Sequence, residues 1–385
     1  MNPLKEKTHI DFIGKRKIAI YLSTLVNLAI LVGLAIWGLN LGVDFAGGTV
    51  VELKYDHSIS AAEVRKRAED GGLKDVSIQN IGATGENSFL LRLGGTTQLT
   101  PESAAQARTA IEGLGGIRNV YPDVANGIVN FRSDKPLDLA TIRTAVEKAG
   151  TGVKEVRPLG EAQGGGFDYQ VVASGMAERV TAALSQGLEK RDFETRRVDY
   201  VGPQVGKQLR NRGIMALIYS MFAILIYVAF RFDFKFGPGA LVAMVHDVIM
   251  VTGYYLVTRA EFNLTAIAAL LTIVGYSVND TIVIYDRIRE DTAKFRGKPF
   301  AEIINIAIND TVGRTILTGL TTALSLVGLL IFGVGEIFDF AAAMLVGIFV
   351  GVYSTIYIAS PLTIWLDERA AAKQQRAASM SARAA

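Results

Sequence analysis

The chain has 385 residues, of which 50% are hydrophobic and 20% are charged, and its formal net charge is +3. This composition excludes a disordered protein and an ordinary cytosolic enzyme, because long apolar runs and many charges place part of the chain in lipid and part in water. The chain has no cysteine, which excludes a disulfide framework, a zinc–cysteine site, an iron–sulfur cluster and a thiol nucleophile. The small net charge gives no indication of a nucleic-acid partner.

Six apolar runs approach the ~17–25 residues that a helix needs to cross a bilayer. The first follows three basic residues, but it is too long for the apolar core of a signal peptide, so it should remain as an anchor. The sequence predicts a cytoplasmic N-terminus at 1–17, a transmembrane helix at 18–39 and a five-helix transmembrane region at 213–366. The five later runs are 214–230, 240–258, 264–285, 315–333 and 341–366.

The distribution of lysine and arginine predicts the orientation of these helices. Basic residues are concentrated before the first run, between the second and third, after the fourth and after the sixth. The connections at 259–263 and 334–340 carry only Arg259. Because cytoplasmic loops are enriched in Lys and Arg, both termini are predicted to be cytoplasmic, including the tail at 367–385, and residues 40–212 to be external.

The external region has a periodicity that predicts a folded domain. Strands and helices occur in the order βαββαβ twice, at about 48–122 and 128–200, with the break at 122–127. Ser60 with Glu63 resembles a capping box, and Thr100 before Pro101 is a candidate N-cap. Residues 164–166 are interpreted as a hairpin and not a phosphate loop, since no Lys-Ser/Thr follows them. The predicted fold is a six-helix membrane protein with an external α+β region of two tandem ferredoxin-like modules.

Placing an ionisable side chain inside a membrane span costs free energy, so each such residue is a candidate for a functional or structural role. Asp280 in the fourth run, Arg314 at the start of the fifth and Asp247 in the third lie at similar predicted depths, so they could meet. The alternative is a structural ion pair between Asp280 and Arg314, with Arg314 reaching the interface. For Asp247 with its neighbour His246, a functional and a structural role are equally open. A polar stripe is predicted to face other helices and comprises Arg314, Thr318, Thr321 and Ser325.

Two further segments carry structural predictions. Residues 286–312 include an amphipathic stretch at 299–312, which is predicted to lie along the cytoplasmic membrane surface. Its apolar side comprises Ile303, Ile304, Ala307 and Ile308. Asp44 lies in residues 42–49 (GVDFAGGT), where the two glycines are interpreted as a turn into the first strand and not as a binding site.

Several of these motifs together resemble the SecF family, the partners of SecD. They are residues 42–49, residues 201–206 (VGPQVG), His246-Asp247, residues 274–290 (VGYSVNDTIVIYDRIRE) and Arg314-Thr315. The resemblance implies the resistance–nodulation–division type of membrane fold and a location in the bacterial inner membrane. The external segment is about twice as long as the single ferredoxin-like domain that this family is expected to carry.

The resemblance also implies a function. The chain would assist preprotein translocation with SecD and the SecYEG translocon, using the proton gradient, with the external region contacting preprotein and the helices contacting membrane lipids. Asp280 and Arg314 would form the proton relay, supported by Asn279, Asp247, His246, Thr318 and Thr321. Protonation of Asp280 would release Arg314 and move the external modules. No cofactor, metal or enzymatic activity is expected, because the sequence has no P-loop, HExxH or nucleophile elbow.

Two other functions remain open at this level. One is a proton-driven exporter of small molecules or lipids on the same fold, because a fold does not determine its cargo. The other is a passive assembly scaffold, in which Asp280 and Arg314 would be inert.

Overall fold

The computed structural model describes residues 8–384 except 74–75, 82–86, 94–98, 100, 125, 163–164 and 187–191. The chain divides into two compact units, Met1–Gly42 with Leu209–Ala385, and Val43–Gln208. Among the described residues, six helices are long and apolar enough to cross a membrane. The second unit contains two antiparallel four-stranded sheets. These features confirm the predicted fold class of a six-helix membrane protein with an external α+β region.

A long first helix is followed by short helices and strands up to Val201, and long helices make up most of the chain after it. The first half comprises α1 (Arg16–Trp37), α2 (Val43–Ala46), β1 (Gly48–Tyr55), α3 (Ala61–Asp70), β2 (Ser77–Asn80), β3 (Ser88–Leu93), α4 (Pro101–Glu112), β4 (Ile117–Asp123), β5 (Ile128–Ser133), α5 (Leu139–Lys148), β6 (Val153–Glu161), β7 (Phe167–Ala173), α6 (Met176–Leu184) and β8 (Phe193–Val201). The second half comprises α7 (Pro203–Arg231), α8 (Gly237–Thr258), α9 (Leu264–Lys294), α10 (Phe300–Phe332), α11 (Glu336–Ser354), a π-helical turn (Thr355–Ala359) and α12 (Ser360–Ala384).

Local sequence signals place several of these boundaries. Ser60 caps α3, because its side chain accepts a hydrogen bond from the Glu63 backbone N–H, as the capping box predicts. Thr100, the predicted cap of α4, lies outside the described residues. Gly48 opens β1 with φ +143°, and a Cβ there would lie 2.4 Å from the Leu93 carbonyl oxygen. Residues 42–49 therefore do form a tight turn into the first strand, where glycine is required.

The first sheet has the strand order β2-β3-β1-β8. Strand β8 pairs antiparallel with β1, with Val51 opposite Val198, and β3 pairs on the other side of β1. Helices α3 and α6 pack on this sheet, since Val64 and Val180 share a buried cluster with Leu53. This is the ferredoxin-like arrangement βαββαβ, built from β1, α3, β2, β3, α6 and β8.

The second sheet has the strand order β4-β5-β7-β6. Its core is separate, with Ile111 of α4 and Ile142 of α5 packed against Phe131 and Val171. The β6–β7 hairpin closes at Gly165 and Gly166, both of which have positive φ, as predicted for the glycine run. Read from β5, this module is again ferredoxin-like, but α4 and β4 precede the other elements, so its order is circularly permuted.

The predicted tandem modules at 48–122 and 128–200 are therefore wrong in their boundaries. Strand β8 completes the first sheet and β4 completes the second, so one module is inserted into the other between β3 and α6. The order of strands and helices along the chain is identical in the two arrangements. Only long-range pairing distinguishes them, and β1 provides that pairing along the full length of β8.

We expect a fragment of residues 99–174 to fold alone, because the whole second core is drawn from this range. A fragment of residues 128–200 should stay unfolded, since it lacks α4 and β4 and carries β8 without its partner β1. Thermal unfolding followed by circular dichroism tests both fragments. A cooperative transition for 128–200 and none for 99–174 would contradict the inserted arrangement.

Tyr55 provides a test of the first core. Its side chain is buried and its hydroxyl has no hydrogen-bond partner among the described residues, and burial raises its pKa to about 12. The unfolded phenol ionises near pH ~10 and the folded one only near pH 12, so the stability of the fold is unaffected by this group below pH ~10 and falls as the pH rises to about 12. In urea unfolding of residues 43–208, Tyr55→Phe should flatten the loss of stability across this pH range. At pH 7 the variant should be about as stable as the wild type, because it removes an unpaired hydroxyl.

The membrane unit confirms the six predicted spans but corrects the amphipathic segment at 286–312. Helix α9 continues to Lys294, and α10 is continuous from Phe300 to Phe332, which is about 50 Å long. The apolar side of 299–312 is buried in the protein core, where Ile304 and Ile308 share a cluster with Val228 of α7 and Tyr285 of α9. The segment extends the fifth span and is covered by neighbouring helices, so its apolar side does not face lipid.

Candidate functional site

Asp247 lies at the centre of a buried hydrogen-bond network that joins three helices. Its side chain has no exposed surface. Oδ2 accepts hydrogen bonds from Ser277 Oγ of α9 at 2.5 Å and from Ser354 Oγ of α11 at 2.9 Å. Oδ1 lies 3.0 Å from Nδ1 of His246. Both oxygens of this carboxylate are therefore satisfied, which is the arrangement that a buried charge requires.

Hydroxyl groups continue the network toward the end of the sixth span. Thr281 Oγ1 lies 3.0 Å from Thr355 Oγ1, and Tyr285 Oη lies 3.3 Å from Thr363 Oγ1. Thr355 begins the π-helical turn, in which the Ser360 N–H donates to the Thr355 carbonyl. Pro361 follows at once and has no N–H to give to the helix, which explains the irregular turn in a predicted continuous span. Such turns are frequent at functional sites.

Asp280 differs from Asp247 in its surroundings. Its side chain is 4% exposed, and its Oδ2 is buried with no hydrogen-bond partner among the described residues. It lies one turn from Ser277 on α9, so the two carboxylates are linked through one helix. The hydroxyls of Tyr276 and Thr315 are also buried and unpaired in the described structure. A buried carboxylate with one unpaired oxygen lacks part of the hydrogen bonding that an ionised group needs.

The ion pair predicted between Asp280 and Arg314 is not formed. Arg314 is close enough to interact electrostatically with Asp280, yet no N–O distance between them falls within 4.0 Å in the described structure. The reason is the rotation of α10 about its axis, which buries Thr315 and Gly319 and leaves Arg314 on the exposed side. Within this chain, Arg314 has no carboxylate partner among the described residues.

The predicted polar stripe of α10 is also corrected. Thr321 and Ser325 are exposed and Thr318 is half-buried, so the stripe faces away from the other helices of this chain. Their hydroxyls donate to backbone carbonyls of α10 itself, for example Thr318 Oγ1 to the Arg314 carbonyl at 3.0 Å. Periodicity identified the stripe correctly, but it could not show which side of the helix the protein covers.

Of the remaining predicted site residues, one lies in the buried network around Asp247 and one lies on the exposed surface. His246 is 5% exposed, binds Asp247 through Nδ1 and stacks on Tyr353 at a centroid distance of 6.0 Å. Asn279 is exposed and lies outside the buried network. The structure thus brings His246 and Asp247 together, places Asp280 one helical turn from their partner Ser277, and separates Asn279 and Arg314 from them.

Several network residues were not singled out from the sequence. They are Ser277, Thr281, Ser354, Thr355 and Thr363, all of which are buried. Two signals could have found them. Ser277 and Thr281 lie one turn apart on the same side of the helix as Asp280, and Ser354-Thr355 interrupts an apolar run shortly before Pro361.

Comparison with protein families gives two matches. Residues 180–369 match the family described as protein export membrane protein SecD/SecF, C-terminal, and residues 32–59 match the SecD/SecF GG motif. The chain is 37% identical over 367 residues to the protein translocase subunit SecF of Magnetococcus marinus, covering 95% of each chain. It is 33% identical over 366 residues to the SecF subunit of Rickettsia felis, covering 95% of this chain and 94% of that one.

Two crystal structures of SecDF are also similar to the chain. One is of SecDF from Thermus thermophilus, described as a translocon-associated membrane protein, with a TM-score of 0.62 and 28% identity. The other is a super-membrane-facing form of SecDF, with a TM-score of 0.59 and 28% identity. Each comparison covers 96% of this chain but only 40% of the SecDF chain, so this chain spans less than half of those proteins.

The near-complete coverage of the SecF relatives corrects the expectation that the external segment is about twice as long as is usual in this family. The alignment with the Magnetococcus marinus protein includes 95% of both chains, so that relative has an external region of comparable length. The external segment is not an enlargement relative to that protein. With more than 30% identity over almost its full length, the chain belongs to the SecF family of protein translocase subunits.

Proposed function

We propose that the chain acts with a SecD subunit to promote preprotein translocation by SecYEG across the bacterial inner membrane, driven by the proton gradient. In this proposal both termini are cytoplasmic, as the basic residues predict, and the external unit contacts preprotein. The single observation that carries the proposal is Asp280, a buried carboxylate in a membrane helix with an unpaired oxygen and an arginine nearby. Intramembrane carboxylates of this kind are typical of proton relays.

The exposed side of α10 supports the need for a partner. It carries Arg314 beside large apolar residues such as Ile316 and Leu317, which are 54% and 47% exposed. An arginine that faces hydrocarbon is costly, whereas one that faces another protein can be paired. A SecD subunit that covers this side would give Arg314 acceptors. The SecDF crystal structures, in which the similar region is 40% of a longer chain, support this assignment.

The proposed mechanism depends on the charge of Asp280. While Asp280 is ionised, its attraction to Arg314 favours one packing of α9 and α10, and protonation removes that attraction. The two states would then differ in helix packing, and α7 would transmit this difference, because it begins directly after β8 of the external unit. The hydroxyl network around Asp247 keeps α8, α9 and α11 together in both states.

Preprotein export into inverted membrane vesicles tests this function. Vesicles from cells that make SecD with or without this chain are compared in the presence and absence of a protonophore. We expect the chain to increase export several-fold and the protonophore to abolish that increase. An increase that survives the protonophore would indicate a passive scaffold, and no increase at all would favour the exporter of small molecules or lipids.

A further inference from the structure

A cavity of about 860 Å³ lies between α1, α8 and the end of the sixth span. This volume falls within the ~300–1,000 Å³ of ligand-binding pockets in proteins. The residues that line it on α1 extend from Arg16 to Leu31, a length of about 22 Å along the helix. Half of a hydrocarbon core of ~30 Å is about 15 Å. The cavity is therefore long enough to hold an acyl chain from the membrane interface to the bilayer centre.

The walls of the cavity are mainly aliphatic. Branched side chains of α1 lie opposite those of α8, namely Ile20, Leu28 and Leu31 opposite Val242, Val245 and Ile249. His246 and Asn27 also line the cavity, and their Nε2 and Oδ1 atoms have no partner among the described residues. Both atoms are buried behind the aliphatic lining and so add little polar surface to the cavity. An apolar chain with few polar groups fits this lining.

One end of the cavity is charged. Arg16, Lys17, Trp365 and Glu368 line this end, and Arg16 lies 4.0 Å from Glu368. Lys17 makes no ion pair within 4.0 Å in the described structure, so two cations face one carboxylate. A third cation is also close, because the guanidinium of Arg369 lies 3.9 Å from the Trp365 ring centroid. Tryptophan beside basic residues is typical of the membrane–water interface, where basic groups attract anionic headgroups.

We propose that this cavity binds one anionic phospholipid, with its phosphate at Arg16 and Lys17 and an acyl chain along α1. The basic residues at the charged end of the cavity select the anionic headgroup, and the aliphatic walls accept the acyl chain. The lipid would cover the wall formed by His246 and so keep bulk water from the Asp247 network behind it. The lipid site is independent of the proposed export function, because it involves neither Asp280 nor preprotein.

Fluorescence quenching of Trp365 tests the proposal directly. The chain has two tryptophans, so Trp37→Phe leaves Trp365 as the only reporter. The full-length variant is reconstituted in phosphatidylcholine vesicles that contain a small, equal fraction of brominated phosphatidylglycerol or brominated phosphatidylcholine. We expect brominated phosphatidylglycerol to quench Trp365 at least threefold more. Arg16→Gln with Lys17→Gln should remove this preference, and Glu368→Gln should increase it.

Matched controls separate the cavity from the general surface charge and from folding. Lys15→Gln with Arg231→Gln removes two basic residues that do not line the cavity, and it should keep the preference. Thr24→Phe fills the cavity and should lower quenching, whereas Leu25→Phe, on the exposed side of α1 next to it, should not. Equal quenching by the two lipids, or a preference that persists in the Arg16/Lys17 variant, would overturn the proposal. Absence of quenching by either lipid would show that no lipid chain lies beside Trp365, and this too would overturn it.

Discussion

Asp280→Asn is expected to reduce gradient-stimulated export to the level seen with a protonophore, while insertion and folding remain normal. Asparagine keeps the size of the side chain and removes the group that binds the proton. Oδ2 of Asp280 has no hydrogen-bond partner to lose among the described residues, so the substitution should not destabilise the helices. The measurement is export into inverted vesicles with the SecD subunit present, together with thermal unfolding of the purified variant in detergent.

Asp286→Asn is the matched control for this prediction. It makes the same chemical change on the same helix, but Asp286 is largely exposed and pairs with Arg231 at 3.2 Å near the end of the bundle. Export by this variant should keep its full response to the gradient. If Asp280→Asn also kept the full response, Asp280 would not be the coupling group, and the proposed function would lose the observation on which it depends.

The magnitude of the effect follows from the energy that one proton can deliver. A membrane potential contributes ~2.3 kcal/mol per 100 mV for each charge, and each unit of pH difference contributes ~1.4 kcal/mol. A shift of a two-state equilibrium from 1:99 to 99:1 needs ~5.5 kcal/mol. One proton on Asp280 therefore shifts the equilibrium only partly under a moderate gradient. Export should accordingly rise steeply with the gradient, and a second proton or bound preprotein is expected to contribute.

Asp247→Ala is expected to lower the stability of the membrane unit by about 2–4 kcal/mol. The substitution leaves the hydroxyl of Ser277 and the ring of His246 without their acceptor, and each buried unsatisfied group costs ~1–3 kcal/mol. Ser354 loses less, because its hydroxyl hydrogen has the Gly351 carbonyl as an alternative acceptor at 3.1 Å. Thermal unfolding in detergent should show a clear decrease in the melting temperature for Asp247→Ala.

The contrast between the two carboxylates is the decisive part of this prediction. Asp247 is fully hydrogen-bonded and should be mainly structural, whereas Asp280 has an unpaired oxygen and should be mainly functional. Asp280→Ala should therefore change stability by less than Asp247→Ala does. Equal losses of stability in the two alanine variants would mean that the hydrogen-bond network does not separate their roles.

Much of the fold follows from the sequence alone. The six spans depend on the length and hydrophobicity of continuous segments, and α1 and α8 begin and end within a few residues of the predicted limits. The strands and helices of the external unit likewise follow from local periodicity and capping, as at Ser60 and around Gly166. These features depend on residues that are close together in the chain, so a pattern in the sequence is sufficient to place them.

The tertiary structure decided the points that depend on distant residues. Local periodicity is the same whether β8 belongs with β5 or with β1, and only its pairing along the whole length of β1 shows that one module is inserted into the other. The sequence marked Asp247, Asp280 and Arg314 as unusual, but the rotation of each helix about its axis set their roles. Packing turned Asp247 toward Ser277 and Ser354, buried Asp280 without a full set of partners, and left Arg314 on the outer side of α10. Helix rotation is decided by contacts with neighbouring helices, which the pattern along a single helix does not contain.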